Sequence, residues 1–142
     1  MKILNFTLMP YRPMDIAASK QHRSAWVVLP NTFYDPELGA QEYESYIDML
    51  AESETLGFDG VCVNEHHQTA YGLMPAPNLI ASALIQRTQR IRIAILGRAL
   101  PLVGNPIHIA EEFAMLDNMS RGRIIAGFVR GIGAEYHSTA VN

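Results

Sequence analysis

The chain has 142 residues, of which 49% are hydrophobic and 18% charged, a composition typical of one globular domain with a buried core and not of a disordered chain. Its formal net charge of -3 at pH 7 supplies no basic field for a nucleic-acid backbone, so we predict no nucleic-acid partner. We also predict no membrane association, because no apolar run approaches the roughly 20 residues of a membrane span.

The N-terminal residues predict a first strand, at 3–9, and not a signal peptide. Asn5 and Thr7 interrupt the apolar run and Pro10 ends it, so the long apolar centre of a secretion signal is missing. The single cysteine, Cys62, has no partner for an internal disulfide and lies in an apolar run. These features predict a cytoplasmic protein.

A long segment at about 10–39 follows the first strand without a clear periodic pattern. A connection of this length is more often a functional loop than a plain link. Its apolar side chains would be costly to leave in water, and they are Trp26, Val27, Val28, Leu29, Phe33 and Tyr34. We predict that this first βα loop forms a lid over a site, with a disordered insertion as the alternative.

Helices and strands alternate along the rest of the chain. The pattern predicts helices at 41–56, 78–89 and 106–120, and strands at 60–64, 91–96 and 124–129. The clearest boundary is at the third helix, where Asn105 is suited to cap the helix and Pro106 to its first position. Strict alternation with apolar strands predicts an α/β fold with a parallel sheet, either doubly wound or closed as a barrel.

The chain ends soon after the fourth predicted strand, and no further helix is predicted to cover that strand. A closed barrel typically needs about 250 residues. We therefore expect residues 1–142 to form one partial domain, which is a truncated half of a larger unit. Open apolar strand edges in such a half predict self-association, as a dimer or another homo-oligomer.

Three titratable residues, Glu65, His66 and His67, follow the second strand at the edge where parallel sheets place ligands. A metal site is one interpretation, but adjacent side chains diverge, and no HExxH spacing or thiol partner is present. A second is structural, with Glu65 binding loop amides and a histidine capping a strand. We favour the third, in which one imidazole donates a hydrogen bond or moves a proton while Glu65 holds its orientation.

Arg130 follows the fourth strand and precedes Gly131, Ile132 and Gly133. Its guanidinium and the backbone amides of this loop are suited to hold a phosphate or another anion. The glycines do not follow the order of a dinucleotide fingerprint, and no Lys-Ser or Lys-Thr pair marks a triphosphate loop. The alternative is an ordinary ion pair between Arg130 and a surface acid such as Glu135.

Five short motifs occur in a fixed order along the chain. They are 57–59 (GFD) leading to 65–67 (EHH), 100–101 (LP) with 105–106 (NP), 110–112 (AEE), 116–123 (LDNMSRGR) and 127–131 (GFVRG). Together they resemble motifs of the bacterial luciferase-like flavin-dependent monooxygenases, over nearly the whole chain apart from the long first loop. The resemblance implies the N-terminal half of a TIM-type βα barrel.

The resemblance also implies an enzymatic reaction. Reduced FMN from a separate flavin reductase would react with dioxygen, through a flavin hydroperoxide, to oxidise a small organic substrate. A dry pocket is needed, because water would release hydrogen peroxide from the flavin adduct, and the apolar first loop could exclude it. A deazaflavin-dependent dehydrogenase on the same barrel and a truncated, non-catalytic flavin-binding protein are the alternatives.

Site residues carry over by position. His66 matches the family's histidine that acts near the flavin as a proton donor or acceptor, and the resemblance places Glu65 and His67 at the same mouth. These three are the predicted catalytic residues. No metal is implied.

The predicted cofactor-binding residues lie on the third and fourth strands. Arg130, followed by Gly131, matches an arginine that contacts the flavin phosphate. Leu96 and Gly97 fall where the third strand of the family passes beneath the isoalloxazine ring, and a small residue there permits close approach. Val129 stands where the light-emitting luciferase subunit has a cysteine, which predicts a different substrate and argues against luminescence.

Overall fold

The computed structural model describes residues 1–24 and 29–140, and these contain four strands and five α-helices. The strands are β1 (Leu4–Phe6), β2 (Gly60–Val63), β3 (Arg92–Ala99) and β4 (Ile124–Val129). The helices are α1 (Ile16–Ser19), α2 (Pro36–Glu52), α3 (Pro77–Arg87), α4 (Pro106–Ser120) and α5 (Gly133–Thr139). Trp26, Val27 and Val28, on which the lid prediction partly rests, lie outside the described residues.

All four strands are parallel, and their order in the sheet is the order in the chain, β1-β2-β3-β4. The register aligns Phe6 with Cys62, Cys62 with Ala94, and Ala94 with Ile125. A doubly wound sheet reverses its strand order at a switch point, whereas a βα barrel adds each new strand on the same side. The predicted α/β class is confirmed, and the order is that of part of a barrel.

The core lies between one face of the sheet and the layer formed by α2, α3 and α4. Buried residues from the strands and helices meet there, among them Val61, Val63, Ile93, Ile95, Leu50, Ile80, Leu84 and Phe113. The opposite face carries large apolar side chains that are 42% to 51% exposed, namely Phe6, Leu96, Ile125 and Val129. Alternate residues of a strand point to opposite faces, so the bare face is a direct consequence of the apolar strands.

Helix α2 begins earlier than periodicity predicted. Asp35 caps it, accepting hydrogen bonds from the backbone amides of Glu37 and Leu38, and Pro36 takes the first helical position. The first βα loop therefore ends at residue 35 and not 39, and it contains α1 and a 3-10 turn at Asn31–Phe33. Periodicity missed the first turn of α2 because most of its residues are exposed.

A short helix, α5, follows β4, so the prediction that no helix comes after the fourth strand was wrong. Its start is fixed by Glu135, whose Oε2 accepts a hydrogen bond from the backbone amide of Ile132. The helix packs against the 3-10 turn Leu100–Leu102 that ends β3. At seven residues, α5 is too short for an apolar period to reveal it.

Arg123 joins the end of α3 to the start of β4. Its guanidinium donates to the backbone carbonyls of Ile85, Thr88, Ile91 and Ser120 and to the Thr88 hydroxyl, over 2.8 to 3.3 Å. Carbonyls at the end of a helix have no partner within the helix, so an arginine here satisfies acceptors that would otherwise need water. This structural role accounts for the last arginine of the 116–123 motif.

Arg123→Ala is expected to lower the free energy of unfolding by about 2 kcal/mol, because several partly buried carbonyls lose a charged donor. Urea unfolding followed by circular dichroism measures this. Arg90→Ala, which removes an exposed arginine before β3, is the matched control and should change stability by less than about 0.5 kcal/mol. Equal effects of the two substitutions would contradict the proposed role of Arg123.

No helix in the described parts of the chain is both long enough and apolar enough to cross a membrane.

Candidate active site

A cavity of about 360 Å³ opens at the carboxyl edge of the sheet. The lining comes from β1, β3 and β4, from the segments that follow β2 and β4, and from α5, near the strand ends where barrel enzymes hold their sites. The lining residues are Phe6, Asn64, Glu65, His66, Leu96, Gly97, Val129, Arg130, Gly131, Ile132 and Glu135. The structure thus brings together six of the seven predicted site residues. The exception is His67, which is not part of this lining.

His66 is held on several sides. Its ring is 18% exposed, and Nδ1 lies 3.0 Å from Oε1 of Glu135. The backbone amide of His66 donates to the Met74 carbonyl, and the Tyr71 ring meets the imidazole edge to face at 5.2 Å between centroids. A side chain at Gly72 would come within 3.0 Å of the imidazole. The imidazole therefore has a defined position at the cavity.

Glu65 is buried and serves three donors. Its Oε1 lies 2.7 Å from Nε2 of His67, and its Oε2 accepts hydrogen bonds from the Arg98 guanidinium at 2.8 Å and from the Ala99 amide at 3.0 Å. Glu65 therefore orients the imidazole of His67 and not that of His66, which lines the cavity. The bond to the Ala99 amide is the kind that the structural interpretation anticipated.

The Glu65 carboxyl is ionised at neutral pH. Burial alone would raise its pKa, but the hydrogen bonds from His67 and from the Ala99 amide and the charge of Arg98 outweigh burial and lower the pKa. A carboxylate in this state is a hydrogen-bond acceptor and a poor proton donor. Its place in the site is therefore that of a charged brace between β2 and β3.

The lowered pKa of Glu65 predicts a pH-dependent contribution to stability. Because the pKa is lower in the folded chain, the contribution is complete above the ordinary value of 4.5 and is lost as the pH falls below it. We expect the difference in unfolding free energy between wild type and Glu65→Gln to narrow from about pH 6 to about pH 3. Urea unfolding across this range measures the difference, and a constant gap would contradict the prediction.

Arg130 lies at the rim of the cavity with an exposed side chain. Glu135 does not supply the alternative ion pair, because it is buried and pairs with His66. The Ile132 amide already donates to Glu135 at 2.8 Å, so it is not free for an anion. The Arg130 carbonyl accepts a 2.5 Å hydrogen bond from the Tyr136 hydroxyl, and this bond fixes the backbone at Arg130.

The structure gives a reason of its own for glycine at position 97, and the predicted close approach of a ring there stays a prediction. A Cβ on Gly97 would lie 2.8 Å from the Gly127 carbonyl oxygen, and a Cβ on Gly127 would lie 2.3 Å from that of Ile95. The two glycines allow β3 and β4 to approach each other, so the missing side chain makes room for a strand. The Leu96–Gly97 peptide bond is cis. The neighbouring side chain of Leu96 is exposed and lines the cavity.

The cavity combines an apolar wall, a cation and an unpartnered acceptor. Phe6, Leu96 and Val129 supply exposed apolar surface, and Arg130 supplies the charge. Asn64 is buried and its amide nitrogen donates to a backbone carbonyl, but its Oδ1 has no hydrogen-bond partner in the part of the chain that the structure describes. This set suits a flat ring system with an N–H donor and an anionic tail.

The described part of the first loop is bonded to the loop after β2 and to α2. The Tyr11 amide donates to the Ala70 carbonyl at 2.8 Å, and Arg12 Nε donates to the Glu42 carboxylate at 2.7 Å. Side chains from residues 10–24 and 29–35 do not line the active-site cavity, so the lid stays a prediction. The loop instead encloses, with residues 68–73, a separate cavity of about 170 Å³.

Sequence reasoning missed two charged residues of the site, Arg98 and Glu135. Arg98 lies on β3 beyond the predicted end of that strand at 96, because the apolar run ends at Leu96 while the strand continues to Ala99 with an irregular register. A buried acid such as Glu65 needs a cation nearby, and that requirement was the available signal for Arg98. For residues 1–24 and 29–140, no group of three or more His, Cys, Asp or Glu side chains could hold a metal ion.

Comparison with known sequences identifies the relatives of this chain. The profile of the luciferase-like monooxygenases matches residues 23–139. The alkanal monooxygenase alpha chain of Photorhabdus luminescens is 33% identical over 102 residues, which cover 71% of this chain and 28% of the relative. An uncharacterised protein of Sinorhizobium fredii is 36% identical over 92 residues, which cover 65% of this chain and 27% of that protein. The chain spans little more than a quarter of these relatives.

Solved structures match the fold over nearly the whole chain. A monooxygenase from Streptomyces bottropensis superposes with a TM-score of 0.73 and 26% identity, over 100% of this chain and 37% of the other. The oxygenating constituent of 3,6-diketocamphane monooxygenase from Pseudomonas putida, a type II Baeyer–Villiger enzyme in complex with FMN, superposes with a TM-score of 0.68 and 22% identity, over 93% and 30%. The predicted partial TIM-type barrel is thereby confirmed. Because the family profile covers most of the sequence, the chain belongs to the luciferase-like monooxygenase family.

Proposed function

We propose that this chain carries the FMN site of a flavin-dependent monooxygenase that oxidises a small carbonyl compound. The observation that supports it most is a single cavity that gathers His66, Arg130 and the apolar wall around Leu96. Family membership supports the flavin, and a neighbour of the same fold holds FMN. The carbonyl substrate class is suggested by the relative named for alkanals and by the Baeyer–Villiger neighbour.

The residues of the cavity fit FMN. Arg130 would neutralise the phosphate, Leu96 and Val129 would contact the ring system, and the unpartnered Oδ1 of Asn64 would accept a ring N–H. When bound, reduced FMN would supply the electrons that activate dioxygen. His66 would hold or move a proton at the edge of the cavity. In this proposal Glu65 and His67 support the loop that carries His66.

The remaining partners belong to the same proposal. A separate reductase would deliver reduced FMN, and the cytoplasm, where a single buried cysteine stays reduced, would house both proteins. The bare apolar sheet face with Phe6 and Ile125 favours a homo-oligomer or a partner that covers it. Dioxygen uptake that depends on reduced FMN and on an added alkanal separates this function from the deazaflavin-dependent dehydrogenase and from flavin binding without turnover.

The deciding experiment compares FMN with riboflavin, which lacks the phosphate. We expect wild type to bind FMN about 10- to 100-fold more tightly than riboflavin, and Arg130→Ala to lose most of this difference, because one charge-assisted contact is removed. Quenching of flavin fluorescence measures both affinities. Arg90→Ala, at the opposite end of β3, is the matched control and should bind like wild type. Equal binding of FMN and riboflavin by wild type would contradict the phosphate role of Arg130.

A further inference from the structure

Glu135 is a buried carboxylate that touches the candidate catalytic histidine. It is 4% exposed, and its two oxygens have different partners. Oε1 lies 3.0 Å from Nδ1 of His66, and Oε2 accepts the Ile132 amide at 2.8 Å. Burying a charge is unfavourable unless it is paired and hydrogen-bonded. Within residues 1–24 and 29–140, the His66 imidazole and one backbone amide compensate the Glu135 carboxylate.

Helix α5, which carries Glu135, is held by hydrogen bonds to two neighbouring segments. The side-chain amide of Gln68, in the same loop as His66, donates to the Ser138 carbonyl at 3.1 Å. The Tyr136 hydroxyl donates to the Arg130 carbonyl at the end of β4. The helix therefore bridges the loop after β2 and the end of β4. This bridge presents the carboxylate to the ring in one defined place.

A carboxylate can only accept hydrogen bonds, so the ring nitrogen facing it must carry the proton. Whenever the imidazole is neutral, the second nitrogen is then an acceptor with a free lone pair. We propose that Glu135 is a positioning residue that holds His66 in the Nδ1–H tautomer and leaves Nε2 as the acceptor. His66 would then enter the reaction as a proton acceptor at Nε2, and it could return the proton afterwards.

The catalytic meaning of this inference rests on the proposed function, but its structural content does not. Removal of a partner that orients a metal-ligating histidine typically costs 10- to 100-fold, and we take the same range for the partner of His66. We therefore expect Glu135→Ala to lower kcat by about 10- to 100-fold with KM little changed. A purely structural role for Glu135 would not change which ring nitrogen of His66 is protonated. The tautomer is therefore the decisive measurement.

The experiment is nitrogen NMR of the 142-residue chain labelled with 15N-histidine, recorded at alkaline pH without flavin, with His66→Ala used to assign the signal. Wild type should show a protonated Nδ1 and an unprotonated Nε2. Glu135→Ala should shift His66 towards the Nε2–H form, which a free histidine prefers in water. Glu135→Gln keeps a carbonyl acceptor and should retain more of the Nδ1–H form than alanine does.

Gln68→Ala is the matched control, because it removes a bond between the same loop and α5 but leaves the carboxylate in place. It should keep the wild-type tautomer. An Nε2–H form in wild type, or the same tautomer in wild type and Glu135→Ala, overturns the inference. If Glu135→Ala does not fold, the wild-type spectrum and the spectra of Glu135→Gln and Gln68→Ala still test the tautomer assigned to His66. A chain with the expected tautomer that fails to bind FMN refutes the proposed function alone.

Discussion

His66→Ala is expected to lower substrate-dependent turnover by about 10²- to 10⁴-fold, the range for loss of a positioned proton donor or acceptor. FMN affinity should stay within about twofold of wild type, because Arg130 and the apolar wall are unchanged. Turnover is measured as the amount of carboxylic acid formed from an alkanal probe while reduced FMN is oxidised in air. Direct flavin titration gives the affinity.

His67→Ala is the matched control for this prediction, because it removes the adjacent imidazole. The His67 ring bonds to Glu65 and lies outside the lining of the cavity. Its loss should lower turnover by less than about tenfold and act mainly on stability, since Glu65 loses a donor. Equal losses of turnover in the two variants would show that the effect is not specific to His66. Wild-type turnover in His66→Ala would refute the catalytic role.

The boundaries that sequence predicts best are those set by local chemistry. Asn105 and Pro106 mark the start of α4 by their own capping and backbone preferences, and the structure confirms both. Asp35 and Pro36 carry the same signal at the start of α2, yet hydrophobic periodicity placed that start inside the helix. A cap signal is thus a better guide than periodicity where the first turn of a helix is exposed.

The location of the candidate site was predictable because parallel strands end at one edge. This topology brings His66 and Arg130, which follow β2 and β4, to one cavity with Leu96 of β3. The pairing of side chains was not predictable in the same way. Glu65 meets Arg98 across 33 residues, and His66 meets Glu135 across 69. These pairs depend on β3 continuing past its apolar run to Ala99 and on a helix too short to be recognised from a hydrophobic pattern.

Glu65→Ala is expected to lower the free energy of unfolding by about 3–5 kcal/mol, because breaking a buried ion pair leaves its partner uncompensated. The Arg98 side chain is only 14% exposed, and its Nε has no partner within the described residues. The Ala99 amide would lose its acceptor as well. The loss is a large share of a typical domain stability of about 5–15 kcal/mol. Denaturant unfolding at neutral pH measures it.

A double-mutant cycle separates the two sources of this loss. Arg98→Met removes the cation, and the Glu65→Ala/Arg98→Met double variant should be more stable than the sum of the single losses implies, because no unpaired buried charge remains. Glu65→Gln, which keeps an acceptor but not the charge, should fall between wild type and alanine. A loss of unfolding free energy below about 1 kcal/mol in Glu65→Ala, or no coupling energy in the cycle, would contradict the stabilising role of Glu65. Full stability with lost turnover in Glu65→Ala would instead support a direct catalytic role for Glu65.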